Sequence, residues 1–90
     1  MKQEHLEKYR QIGLKIAYYR KYRNFTQEAL AEKIGCSPAY IGHLEAPNIN
    51  KAISLDMLFD IACVLRIPPY RFFTFEENDF GEADEMSVFK

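Results

Sequence analysis

Residues 26–45 read TQEALAEKIGCSPAYIGHLE, and this stretch decides the fold. Thr26 carries the hydroxyl of an N-cap, able to accept from an orphan N–H in a first helical turn. Leu30 and Ile34 are four apart and share one helix face, with small Ala31 beside them where a second helix can cross closely. Gly35 can adopt the left-handed conformation that ends a helix and turns the chain. Ser37 then caps a second helix, and Pro38 follows at its first position, where a missing N–H costs nothing. Ile41 and Leu44 point back to the core. Two short helices around a glycine turn make a helix-turn-helix, a unit whose second helix often enters the major groove of DNA.

Composition sets the bounds. Ninety residues at 48% hydrophobic content can bury one core, a small one by surface-to-volume scaling. Apolar runs are only a few residues long, which excludes a transmembrane span or a secretory h-region and leads us to expect the cytoplasm and no membrane partner. Cys36 and Cys63 stand where a helical core accepts a small apolar residue and are expected buried and reduced. His5, His43 and the cysteines lack ligand spacing, so no metal or other cofactor is expected. The formal net charge of −1 is unusual for a protein that holds phosphates, but the charges are unevenly spread. Residues 1–75 carry eleven Lys/Arg against seven Asp/Glu, whereas residues 76–90 carry six acids against Lys90 alone. The chain thus reads as a mildly basic domain, 1–75, followed by an acidic C-terminal tail, 76–90.

Outside the central stretch, Leu6, Tyr9, Ile12, Ile16 and Tyr19 step by three and four and predict a first helix over about residues 4–23. Its second half is basic, with Lys15, Arg20, Lys21 and Arg23, and Asn24 offers a stop. Residues 46–53, APNINKAI, read as a loop from their Pro and Asn content. Ser54 caps a fourth helix, with Asp56 in its first turn and a buried stripe of Leu55, Leu58, Ala62 and Leu65, adjoined by Ile61. Pro68 and Pro69 restart the chain as a short fifth helix to about Phe73. The expected fold is all-α with five helices.

On these residues the chain resembles the lambda-repressor-like, Cro/C1-type helix-turn-helix family, the XRE regulators. The resemblance runs from about Ile12 to Phe73 and is carried by IGLKIAYYRKYRNFTQEALAEKIGCSPAYIGHLE and SLDMLFDIACVLRIPPYRFF. It implies a five-helix domain that binds double-stranded DNA as a homodimer on a palindromic operator, with half-sites about one helical turn apart. Carried over by position, Gln27 matches a glutamine that contacts the phosphate backbone and supports the recognition helix. Ser37 matches a phosphate donor. Pro38, Ala39, Gly42 and His43 match the exposed face of the recognition helix, with Tyr40 at its edge. Asn48, Asn50 and Lys51 match phosphate-contacting loop positions. Arg20 and Glu45 match a structural pair that bridges the first helix to the end of the recognition helix.

The chain also departs from the family's pattern. Its recognition face lacks the Arg-to-guanine and Gln-to-adenine forks that supply roughly 1–3 kcal/mol of discrimination each. His43, the Tyr40 hydroxyl and apolar contact from Ala39 remain, and Lys51 is the only charge in the loop, so modest specificity per half-site is expected. Plainer roles stay open: His43 and the basic residues of the first helix as solvated surface, Tyr40 as an edge of the core. The function expected is a sequence-specific transcriptional regulator, a dimeric repressor acting by operator occupancy. Phe72, Phe73 and Phe75 are candidates for the dimer surface. An antitoxin-like module that binds a protein partner through the tail is the alternative. The tail can instead compete with phosphates in cis, or be a solvated or dimer-packing segment. No Gly-rich phosphate loop, paired-carboxylate site or Cys/His nucleophile pair appears, so no catalysis is expected.

Overall fold

A computed structural model of the chain describes residues 2–49 and 51–75. Among them are four α-helices and no strand: α1 (Leu6–Tyr22), α2 (Gln27–Ile34), α3 (Pro38–Glu45) and α4 (Leu55–Leu65). A 3-10 turn, Gln3–His5, leads into α1, and a 3-10 helix, Pro69–Phe73, follows α4. Asn50 and the acidic tail, 76–90, lie outside the described residues.

Local chemistry sets each boundary. Thr26 Oγ1 accepts from the Ala29 N–H at 2.9 Å, and Ser37 and Ser54 cap α3 and α4 in the same way, each at 3.1 Å. The α2 helix ends at Gly35, φ +91°, where the N–H groups of Gly35 and Cys36 both close on the Ala31 carbonyl. Asn24 and Arg66 end α1 and α4 in the same left-handed region without being glycine. Arg23 reinforces the second of these stops, donating to the Leu65 carbonyl at 2.8 Å and the Arg66 carbonyl at 3.1 Å. A guanidinium there satisfies carbonyls that have no partner within α4 and complements the negative end of the helix dipole.

The core lies where the helices converge. Ile16 from α1, Leu30 from α2, Ile41 from α3 and Leu58, Ile61 and Leu65 from α4 are fully buried, as is Phe72 from the closing 3-10 helix. The α2 and α3 helices pack on each other, α1 lies across α3, and α2 rests on α4. The closing 3-10 helix seals α1 against α4, with the Phe72 ring edge-on to Tyr19 at 5.4 Å. Burying Phe72 is worth about 2–3 kcal/mol in apolar surface removed from water.

Four expectations change on this structure. The expected fifth helix is a 3-10 helix of five residues, because Pro68 and Pro69 supply no N–H and the segment closes with the Arg71 N–H on the Pro68 carbonyl, three residues back. Leu55, placed in the buried stripe of α4, is exposed; it opens the helix before the turn that reaches the core. Cys63 is also exposed, lying one residue and therefore about 100° around the helix from buried Ala62. Cys36 is half-buried in the turn. Phe72 is inside the domain's own core and inaccessible to a second copy, whereas Phe73 is exposed.

One constraint was not read from the sequence. Gly13 lies buried on α1 where it meets the end of α3, and a Cβ there would run into the Leu44 carbonyl. The obstacle is backbone, so only a shift of α3 could relieve it. Gly13→Ala is expected to cost about 1–3 kcal/mol despite the better helix propensity of alanine. Urea unfolding monitored by circular dichroism measures it, and an unchanged or raised midpoint would mean that α3 does not depend on this close approach.

Candidate nucleic-acid interface

The geometry of α3 follows from what holds its two ends. At the start, the Ser37 cap and Pro38 fix the entry of the chain. At the end, Glu45 turns inward. Arg20 Nε donates to Glu45 Oε2 at 2.6 Å and Arg20 Nη2 to Glu45 Oε1 at 3.0 Å, a fork-to-fork pair between α1 and α3. Arg20 Nη1 donates to the Phe25 carbonyl at 2.7 Å, and Gln27 Nε2 donates to Glu45 Oε1 at 3.0 Å. Both ions are 8% exposed. Among the described residues no buried side-chain polar atom lacks a partner. The network therefore joins α1, the turn before α2, the start of α2 and the end of α3.

Held in this way, α3 presents Pro38, Ala39 and His43 to solvent, with Tyr40 half-buried at the edge and packed on the core. Lys51 stands with its ammonium 5.3 Å from the centre of the Tyr40 ring, a cation–π contact that ties the loop to the helix edge. Asn48 is exposed nearby in sequence. Gly42 is placed differently from its neighbours on the outward face. Its missing side chain would point at the Gln27 amide, with Oε1 3.5 Å away, so the first residue of α2 lies over that position. Of the ten residues selected from the sequence as DNA contacts, nine are described, namely Gln27, Ser37, Pro38, Ala39, Tyr40, Gly42, His43, Asn48 and Lys51. They fall on α3 and its N-cap, the start of α2 that packs against it, and the loop that follows.

This surface offers limited but definite chemistry. An eight-residue helix is about 12 Å long, comparable to the width of the major groove. Ser37 uses its oxygen as an acceptor within the cap, which leaves its O–H free to donate. Gln27 commits one N–H to Glu45 and retains another. Groups of α3 able to read a base edge are the exposed His43 and the methyl group of Ala39, with half-buried Tyr40 at the edge.

The helix-turn-helix family model matches residues 16–72, from the middle of α1 to the closing 3-10 helix. The chain belongs to the Cro/C1-type helix-turn-helix family. Its members are DNA-binding regulators, and α3 is the second helix of the helix-turn-helix in this domain. No curated protein matches the chain closely enough to serve as a relative. No described helix is long and apolar enough to cross a membrane.

Sequence reasoning overlooked Gly13 and the capping role of Arg23. An interior glycine in a helix costs up to about 1 kcal/mol against alanine, and that cost signals a close approach. Nothing local in the sequence pointed Arg23 at the end of α4, 42 residues away.

Glu45→Ala would strand Arg20 with one carbonyl partner in a buried site. The expected loss is about 3–5 kcal/mol, as for other broken buried pairs. Arg20→Met combined with Glu45→Leu should recover most of it, because neither ion is then left uncompensated. Denaturant unfolding of Glu45→Ala, and of Arg20→Met, Glu45→Leu and their double variant as a cycle, measures both, and strictly additive losses within the cycle would dismiss the pair as a coupled unit.

Proposed function

We propose that the protein is a sequence-specific transcriptional regulator that binds a palindromic operator as a homodimer and represses by occupying it. The observation that carries this reading is the clamped α3, whose ends are fixed by the Ser37 cap and the Arg20–Glu45–Gln27 network while Pro38, Ala39 and His43 face outward. A helix held at both ends can be laid into a groove without an entropic cost of ordering it on arrival.

In this reading α3 enters the major groove, Ala39 and His43 meet base edges, and Tyr40 lies against the wall of the groove. Gln27 lies over Gly42, so its amide rather than a side chain of α3 meets the DNA there. Ser37 O–H and the spare N–H of Gln27 donate to phosphates, and Asn48, Asn50 and Lys51 hold the neighbouring strand. Phosphate contacts fix the register, and the few base contacts set a modest preference. Two half-sites read together, and the bend or groove width of the DNA between them, supply the rest.

Selection of genomic fragments by the full-length protein at near-physiological salt, followed by sequencing, tests the reading. A palindrome with half-sites about 34–36 Å apart is the expected result. Recovery of no preferred sequence by the folded protein would count against it. On the enriched site, Lys51→Ala should weaken binding about equally for all sequences and lower the slope of log K against log salt by about two, one contact in each half-site. His43→Ala should instead flatten the preference at one base step of each half-site, by about 1 kcal/mol per step, leaving the salt slope unchanged. The opposite assignment of these two signatures would reverse the roles given to the residues.

A further inference from the structure

The side of α1 turned away from α3 carries a cleft that DNA recognition leaves unused. Tyr18 and Tyr22 are four apart and share a face, about 160° around the helix axis from Arg20, which reaches toward α3. Both rings are exposed, and they stack nearly parallel with centroids 6.5 Å apart. Across from them lie Arg66, Ile67 and Pro68 from the turn after α4, and Arg71 from the closing 3-10 helix. The cleft has a volume of about 340 Å³ and is lined by three tyrosines, Tyr18, Tyr19 and Tyr22, and three arginines, Arg23, Arg66 and Arg71. Among the described residues, no carboxylate lines it.

Arg23 is engaged in capping α4. Arg66 and Arg71 are exposed and line the cleft, and Arg71 Nε also donates to the Tyr70 hydroxyl at 3.4 Å. The backbone of Arg66 is left-handed, φ +58°, at a helix stop where glycine fits without strain. A long cationic side chain is thus kept at a position that disfavours any side chain. Such retained strain points to use of the group it carries.

We propose that this cleft is the docking surface for the chain's own acidic C-terminal segment, residues 76–90. Charge selects the occupant: the segment carries six carboxylates against one lysine, with Phe80 among the carboxylates and Phe89 after them, and the cleft pairs guanidinium groups with aromatic rings. Continuity permits it. Thr74, two residues before the segment, lines a shallow depression with Lys15, Tyr18 and Tyr19, and that depression shares both tyrosines with the cleft. Phe75, the residue just before the segment, lines an apolar groove at the other end of α1 with Tyr9, Leu55 and Phe73, so charge rather than continuity selects the cleft. Length permits it, because fifteen residues reach up to about 50 Å when extended, against about 25 Å for the whole of α1. Individual exposed ion pairs are weak, but tethering supplies an effective concentration in the millimolar range and makes several of them sufficient. The docked segment covers Tyr18 and Tyr22 and leaves the outward face of α3 open.

Paramagnetic NMR on the full chain tests this. A nitroxide is placed at Ala83→Cys in a background with Cys36→Ala and Cys63→Ser, and a two-dimensional amide spectrum checks that the fold is retained. The expected result is strong broadening of the Tyr18, Tyr22, Ile67 and Arg71 amides at low salt, with His43 and Lys51 spared. That broadening should be lost at high salt and in the Arg66→Glu, Arg71→Glu double variant. Broadening centred on Ala39, His43 and Lys51 would put the segment on the DNA face and overturn the proposal. Broadening around Tyr9, Leu55 and Phe73 would put it in the apolar groove at the other end of α1 and would overturn it equally. A signal seen only on mixing spin-labelled and isotope-labelled molecules would make the occupant a second copy. Shifts of the cleft amides by a short single-stranded oligonucleotide, with no broadening from the nitroxide, would give the cleft to nucleic acid. Either of these results, or no broadening at all, rejects docking of the segment in cis.

Discussion

A guanidinium and a carboxylate withdrawn from water together hold α3 against α1. Arg20 and Glu45 are 25 positions apart, and their fork-to-fork contact fixes both the distance and the rotation between the helices. Desolvating two ions is costly, and an apolar pair of the same volume would serve stability equally well. What an apolar pair would not supply is direction. Glu45 also accepts from Gln27, so the orientation of α3 is set relative to α1 and α2 at once. The backbone contact at Gly13 brings α1 and α3 close enough for this pair to form. Packing sets how near the helices lie, and the ion pair sets how α3 is turned.

Much of the fold was legible because its signals are local. Thr26, Ser37 and Ser54 cap helices through oxygens that reach only three residues, and Gly35 turns the chain where its φ allows. Periodicity found the faces of α1 and α4 for the same reason, since neighbours at three and four residues share a side. Leu55 and Cys63 were misplaced because a stripe drawn through a helix takes no account of where its first turn lies or how wide its buried arc is. The closing segment was harder still. Two prolines announce a break, yet whether the chain continues as an α-helix or a 3-10 helix depends on how Phe72 must reach the core.

The candidate interface divides along the same line. Which residues belong to α3 followed from capping and spacing, but which of them are open to solvent did not. Gly42 shares the outward register with Pro38, yet Gln27 lies over it, a relation between two helices that no pattern within one of them reveals. Lys51 approaches Tyr40 because the loop folds back on the helix edge, and loop composition carries no such direction. Arg23 is the clearest case, a basic residue of α1 whose partners are the last carbonyls of α4.

The way Gln27 covers Gly42 bears on how such a domain diverges. With that position occupied from the neighbouring helix, the outward surface of α3 reduces to Ala39 and His43, with Pro38 committed to the helix start. Neither of the two belongs to the core or to the ion-pair network. Replacing them alters the surface that the helix presents without unsettling how it is held, so a different face lies a few substitutions away along a path of nearly constant stability. Innovation in this domain is confined to a small, mechanically silent patch.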